Sequence, residues 1–225
     1  MLVPLLLAAP VGYLLGAIPF GYLVARAHGV DIFKTGSGNP GATNVKRVLG
    51  AKAGNLVYLL DAFKGAVAAA WPLLCFLIGR HAATTVTTND VGEVLWTIDW
   101  GLAASVAGLV AAVLGHSYSC FTRFKGGKGV ATASGGLLVL MPVPILIGAT
   151  VWFTTFFTSR YVSLASILSS ITVAAAAWAL GHPLGLNIVV TLLVVLVIAR
   201  HHTNIRRLVA GTEHRWERRP KGEPS

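Results

Sequence analysis

The sequence predicts an all-α, polytopic integral-membrane bundle of seven helices, with the N-terminus outside and the C-terminus in the cytoplasm. Three observations carry that prediction. Of 225 residues, 55% are hydrophobic and 12% charged, about half the charge of an ordinary soluble domain, and the mean hydropathy is +0.71. The apolar residues run in tracts near the ~20 residues that a helix needs to cross a ~30 Å hydrocarbon core. The basic residues, 18 against 8 acidic ones for a net charge of +10, gather in alternate connections, as cytoplasmic loops do. This composition excludes a disordered chain and a soluble nucleic-acid-binding protein, and a basic membrane protein suits the handling of anions.

The first tract, about Leu2 to Ala25, has no basic segment before it and exceeds the roughly 7–15 apolar residues of a signal peptide, so it reads as a span. Leu56 to Ile78 and Leu95 to Leu114 follow. A long tract from Val130 to Ala199 is divided by Met141-Pro142-Val143-Pro144, Ser159-Arg160 and Gly181-His182-Pro183 into pieces of about 130–141, 144–158, 161–180 and 186–200. The connection from Arg26 to Lys52 is basic and therefore inside, whereas His81 to Glu93 has no Lys or Arg and lies outside. Alternation puts Arg123, Lys125 and Lys128 inside, together with the tail that runs from Arg200 through Arg206, Arg207, Arg215, Arg218 and Arg219 to Lys221. An even number of crossings must separate these two basic segments. Four pieces satisfy that parity and put Arg160 inside; the first two are short, so hydropathy alone also allows five or six crossings, and parity disfavours six.

On this topology 16 of the 18 basic residues are cytoplasmic, Lys64 and Arg80 being the exceptions. Asp61 and Lys64, three residues apart within the second span, are expected to pair, because a lone charge in lipid costs several kcal/mol. Asp99, Trp96 and Trp100 read as anchors at the outer interface. Cys75 and Cys120 fall near opposite faces, which excludes a disulfide, and no CxxC or Cys/His cluster points to a metal. With no internal repeat and no long loop, residues 1–225 read as a single membrane domain with a basic tail from about 201.

Three polar segments stand out against this background. In GSGNPGATNVKR, Gly36, Gly38 and Gly41 let backbone N–H groups approach an anion, while Ser37, Asn39, Thr43, Asn44, Lys46 and Arg47 supply hydroxyl, amide and cationic donors. A helix beginning near Thr43 or Asn44 would turn its N-terminus to the same site. RFKGGKGVATASGG, from Arg123 to Gly136, fails the Walker pattern, with Thr122 where that motif needs Gly and Gly129 where it needs Ser or Thr, so ATP hydrolysis is not implied. The physics of a phosphate loop survives: Gly126, Gly127 and Gly129 expose N–H groups at a helix start, and Lys125 and Lys128 add charge. In the third segment, Ala199 to Arg215, the spacing of His201, Asn204 and Leu208 puts His201 and Asn204 on one face toward the bundle, with His202, Arg206 and Arg207 turned to lipid phosphates or solvent.

These segments resemble the signatures of the bacterial acyl-phosphate:glycerol-3-phosphate acyltransferases, the integral-membrane family often called PlsY. GSGNPGATNVKR resembles the first motif, GHSYSCFTRFKGGKGVAT the second and NIRRLVAGTEH the third; the stretches Leu60-Asp61 to Lys64-Gly65 and Arg160 to Ser166 also look like family sequence. The resemblance covers nearly the whole chain. It implies transfer of a fatty acyl group from acyl phosphate to the 1-position of glycerol 3-phosphate, the first step of phospholipid synthesis, by a multi-pass protein of the bacterial inner membrane. It further implies seven spans, a cytoplasmic active site among membrane lipids, no cofactor, and functional coupling to a soluble phosphate acyltransferase that makes acyl phosphate. By motif position, Ser37, Arg47, Lys128, His201 and Asn204 would clasp the phosphate of glycerol 3-phosphate or position its hydroxyl. Gly41, Thr43, Asn44, Gly126, Gly127 and Gly129 would cradle acyl phosphate. One departure is visible: Tyr118-Ser119 follows Gly115-His116-Ser117 where the family typically has Phe-Pro, which bears on the turn before the phosphate loop and not on the loop itself.

Acyl phosphate is already activated, so such a site need only hold two anions in attack geometry and stabilise developing charge. No Ser/His/Asp relay is evident, and direct transfer with a substrate phosphate oxygen as base, or else His201, is the expected mechanism. No Asp stands five residues after any of the seven histidines, so the His/Asp signature of thioester-using glycerolipid acyltransferases is missing. An anion (phosphate) transporter or channel is the competing reading, but transporters usually bind near the midplane between internal repeats, and neither feature is seen.

Overall fold

The computed structural model describes residues 2–79, 84–88, 92 and 94–216. Arg80, His81, Glu93, Arg218, Arg219 and Lys221, used above to orient the chain, lie outside the described residues. The chain divides into two compact units, Met1–Pro142 and Val143–Ser225.

The first unit holds α1 (Leu2–Ala17), α2 (Phe20–Ala27), α3 (Ala42–Leu49), α4 (Ala51–Ile78), β1 (Thr84–Thr88), β2 (Val94–Asp99), α5 (Trp100–Ser117), a 3-10 turn at Cys120–Thr122 and α6 (Val130–Leu140). Its packing depends on small residues. A Cβ on Gly12 would strike the Gly108 carbonyl, one on Gly16 the Ala112 carbonyl, one on Gly65 the Thr132 carbonyl and one on Gly135 the Ala62 carbonyl. Backbones of α1 and α5, and of α4 and α6, therefore meet almost directly, the arrangement by which helices associate where lipid removes any hydrophobic drive between them. The outer surface is correspondingly apolar: Leu6, Leu59, Phe63 and Leu77 are each about two-thirds exposed.

The second unit holds the body of α7 (Pro142–Ser159), then α8 (Val162–Ala179), α9 (Leu184–Arg200) and α10 (His202–Val209). Here the contacts between helices are polar pins in an apolar setting. Ser169 donates to the Gly148 carbonyl at 2.8 Å, Trp152 Nε1 to Ser166 at 3.2 Å and Trp178 Nε1 to Thr191 at 3.1 Å. Ala165, Val173, Ala177, Val190 and Val197 fill the interior.

Several sequence-based expectations need correction. The first tract is not one straight helix: it breaks at Ile18-Pro19, where proline supplies no N–H. The third span begins at Trp100 rather than Leu95, because the β-branched run before it pairs as an antiparallel hairpin, Thr84 opposite Asp99 and Val86 opposite Thr97, with an irregularity between Thr87 and Thr88. Asp99, expected to anchor at the interface, has a further role that the sequence does not show: it is the N-cap of α5 and accepts from Leu102 N at 2.9 Å, while Trp100 Nε1 donates to Thr85 at 2.8 Å. Among the described residues, five helices are long and apolar enough to cross a bilayer, counting Val3–Ala27 across its break, and α9 with α10, bent by 59°, would make a sixth. The expected seventh, α6, has 11 residues and a length of about 16 Å. Asp61 and Lys64 do pair, 2.8 Å apart and both buried. Cys75 and Cys120 are both exposed, unbonded thiols.

Candidate active site

The first polar segment is held in shape by its own side chains. Gly36 (φ 63°) and Gly38 (φ 69°) take left-handed backbone that favours glycine, so Ser37 is carried out on an exposed turn. Asn44, buried at 2% exposure, accepts from the Ser37 N–H at 2.9 Å and donates to the Thr35 carbonyl at 3.0 Å. Asn39 accepts from the Gly41 N–H at 2.8 Å. Asn39 and Asn44, both read as substrate ligands, therefore shape the loop. Helix α3 starts at Ala42, within a residue or two of the expected point, and places Thr43 in its first turn and Arg47 in its last, both half-buried. Beneath it Ala25, Ile32, Val45, Ala53 and Val57 form an apolar cluster that seats the segment on α2 and α4.

The second segment follows α5. Ser119, where the family typically has proline, is buried, donates to the Ala17 carbonyl at the end of α1 and accepts from Phe121 N at 3.3 Å, capping the 3-10 turn. Tyr13 donates to the Tyr118 carbonyl at 2.8 Å. The departure from Phe-Pro is thus met by an alternative lock on the same turn. Replacing Ser119 by Ala is expected to lower the midpoint of thermal unfolding by about 2–4 °C, the equivalent of about 1 kcal/mol for one hydrogen bond; differential scanning fluorimetry in detergent checks it. The chain then runs through left-handed Arg123 and Phe124, Gly127 N donates to the His116 carbonyl at 3.0 Å, and Gly129 (φ 83°) is the N-cap of α6. Gly127 and Gly129 are buried, Gly126 and Lys128 half-buried and Lys125 exposed.

The first two segments flank one small cavity, lined by Pro40 from the first, by Lys125, Gly126 and Gly127 from the second, and by Asp61, Lys64 and His116. His201 and Asn204 belong to the second unit. Both are buried, as their shared face required. The His201 Nδ1 lies 2.7 Å from the Val197 carbonyl, which can only accept, so Nδ1 is the donor in that bond.

Sequence reasoning missed Glu213. Its side chain, 7% exposed, accepts from Asn204 Nδ2 at 2.6 Å, Ser163 at 2.8 Å and Arg207 Nε at 2.7 Å. Arg207, expected to turn to lipid or solvent, instead fixes this carboxylate. Burial pushes the Glu213 carboxyl up, but the hydrogen bonds from Asn204, Arg207 and Ser163, with the Arg207 charge, outweigh it and hold the group below the usual carboxylate range. Its signal in the sequence is a single acid in an otherwise basic segment, directly after Gly211-Thr212.

The chain is similar to known proteins over nearly its whole length. A family profile described as "Glycerol-3-phosphate acyltransferase" matches residues 6–211. A glycerol-3-phosphate acyltransferase of Aquifex aeolicus is 40% identical over 204 residues, covering 91% of this chain and 95% of that one. Its counterpart in Agrobacterium fabrum is 42% identical over 212 residues, covering 94% and 91%. Crystal structures of PlsY, an integral membrane glycerol 3-phosphate acyltransferase, in glycerol 3-phosphate and lysophosphatidic acid forms, are 38% identical, cover 94% of this chain and 95% of theirs, and superpose with TM-scores of 0.79 and 0.77. With the profile covering the first two polar segments and the third as far as Gly211, and the solved relatives sharing both sequence and fold, the chain belongs to the glycerol-3-phosphate acyltransferase family of integral membrane enzymes.

Proposed function

We propose that the protein transfers a fatty acyl group from acyl phosphate to the 1-hydroxyl of glycerol 3-phosphate, giving lysophosphatidate and inorganic phosphate. The observation that carries this reading is that the similar PlsY structures are of a glycerol 3-phosphate form and a lysophosphatidic acid form, two molecules that differ by one acyl group. The hydroxyl oxygen attacks the acyl carbon, the bond from that carbon to the phosphate oxygen breaks, and the hydroxyl proton passes to a phosphate oxygen of the donor. In this reading the N–H groups of the glycine loops and Lys128 take up charge on the leaving phosphate. Ser37, Arg47 and Asn204 hold glycerol 3-phosphate, with the Asn204 amide oriented by Glu213, and the His201 ring orients the attacking hydroxyl. Both compact units serve one domain with seven crossings, α6 being a short one, with the N-terminus outside and the site at the cytoplasmic face of the bacterial inner membrane. A soluble acyl-phosphate-producing enzyme supplies the donor.

Purified protein given long-chain acyl phosphate and labelled glycerol 3-phosphate is expected to form lysophosphatidate and release one phosphate per acyl group, and acyl-CoA to yield none. Activity with acyl-CoA but not acyl phosphate would overturn the donor, a trapped acyl-enzyme would overturn direct transfer, and phosphate uptake into vesicles without acylation would make the protein a transporter.

A further inference from the structure

At the end of α5 the usual arrangement of a loop is inverted. Trp100–Thr122 is long and apolar enough to cross a bilayer, so its last turn stands where hydrocarbon gives way to headgroups. The small polar residues of that turn face inward: Ser119 and Thr122 are buried, Ser119 on the Ala17 carbonyl and the Thr122 hydroxyl on the Lys125 carbonyl. The large residues face outward. Phe121 and Phe124 are 60% and 65% exposed, and Tyr118, Cys120 and Arg123 are exposed with them.

The backbone enforces this display. Arg123 (φ 54°) and Phe124 (φ 60°) are successive left-handed residues, a conformation that costs free energy for such side chains. Phe124 N donates to the Ser119 carbonyl at 2.8 Å and Lys125 N to the Thr122 carbonyl at 3.1 Å, while Tyr13 holds the Tyr118 carbonyl. Arg123 makes no ion pair among the described residues, and the sequence has no Asp or Glu between Asp99 and Glu213 to offer one. Lys125 borders the small cavity between the two polar loops, which leaves Arg123 as the cation that the turn presents to its surroundings.

Leu114, one turn earlier in α5, is also exposed, so the apolar surface of the span continues into the turn. Aromatic rings placed at that level partition into the boundary between headgroups and acyl chains, and a cation beside them is drawn to a negatively charged leaflet. We propose that the turn from Tyr118 to Phe124 is a lipid-binding surface selective for anionic phospholipid. Phe121 and Phe124 lie at the boundary of headgroups and chains, and the Arg123 guanidinium pairs with the phosphate of a lipid whose headgroup carries net negative charge. This surface is independent of how the two substrates are assigned.

The test uses the full chain in lipid vesicles, with a fluorophore on the exposed Cys120 and with Cys75→Ser to leave a single thiol. Phosphatidylglycerol bearing a nitroxide on its acyl chain is compared, as quencher, with phosphatidylcholine labelled in the same way. Both are expected to quench, with phosphatidylglycerol preferred about five-fold at equal mole fraction, the bias that one basic residue gives at an anionic surface. Arg123→Asn, which supplies a residue tolerant of left-handed backbone, should cut the preference to less than about two-fold. Raised ionic strength should erode it in the unaltered turn, and that titration carries the test if the variant does not fold. Lys52→Gln removes the same charge from an exposed position at the start of α4 and should leave the preference within about two-fold of its original value. Phe121→Ser should weaken quenching by both lipids. A label that neither lipid quenches would put the turn in water, as a surface for a soluble partner, and would overturn the proposal. So would equal quenching by the two lipids, a preference indifferent to salt, one that survives Arg123→Asn, or one that falls as far in Lys52→Gln.

Discussion

Lys128→Ala should lower kcat/KM for lysophosphatidate formation by about 10²–10³-fold, the loss that follows removal of one preorganised donor to developing charge. Lys128 stands between buried Gly127 and Gly129, the left-handed N-cap of α6, so its backbone immediately precedes a helix N-terminus whose N–H groups favour an anion. Acyl transfer moves negative charge onto the leaving phosphate, and a fixed cation there stabilises the transition state more than the ground state. The side chain is half-buried, so the fold should survive its truncation. Lys128→Arg keeps charge but replaces a compact ammonium with a planar fork, and should restore only part of the rate. Steady-state assays with acyl phosphate and labelled glycerol 3-phosphate check both; kinetics unchanged in Lys128→Ala would remove it from the site.

The second large effect is expected at Glu213. Glu213→Ala strands Asn204, Ser163 and Arg207, three donors that converge on one buried carboxylate. A charge-assisted hydrogen bond is worth about 1.5–3 kcal/mol and the three are not additive, so a loss of about 2–4 kcal/mol, or roughly 5–15 °C in unfolding midpoint, is expected. Activity should fall further than stability explains, because the Asn204 amide loses its anchor. The pH dependence follows from the lowered carboxyl of Glu213. Above the ordinary value of 4.5, the group is ionised in both folded and unfolded chains and its stabilisation is complete. As pH falls through the depressed folded value, the folded state must take up a proton and the stabilisation is lost. The midpoint difference between the wild type and Glu213→Gln should therefore be constant from neutral pH down to about 4.5 and shrink below it; a difference that widened in acid would show that the carboxylate is not held in its charged form.

Much of the candidate site is legible in sequence because its determinants are local. Gly36, Gly38 and Gly129 mark places where the backbone turns left-handed, and the helix after the first loop starts within a residue or two of the expected point. The His201 and Asn204 spacing correctly required one buried face. The errors fall where local and distant interactions compete. Arg207 reads as turned to lipid phosphates or solvent because basic residues near a span end usually are; its side chain is 42% exposed, yet a carboxylate six residues on holds its Nε. At Asn39 and Asn44 the sequence shows only that amides suit phosphate binding, and the fold adds that the same side chains close the loop. Leu95 reads as helical because hydropathy does not distinguish an apolar strand from the start of a span, and only pairing with Thr84–Thr88 decides.

The sequence by itself determined the membrane class, the three polar segments and the chemistry of anion handling, since hydropathy, charge and glycine content act on the chain wherever it is packed. The tertiary structure alone decided that Ser119 reaches the Ala17 carbonyl 102 residues away, that Lys64 closes the end of α1 and that the Asp61 carboxylate stands behind the histidine under Gly127. Those partners depend on how far helices slide and turn against one another, and faces of glycine and alanine permit close approach in many registers. Among those registers, the one observed gives Ser119 and Lys64 their backbone acceptors, and a polar group left without a partner in a dry interior costs free energy.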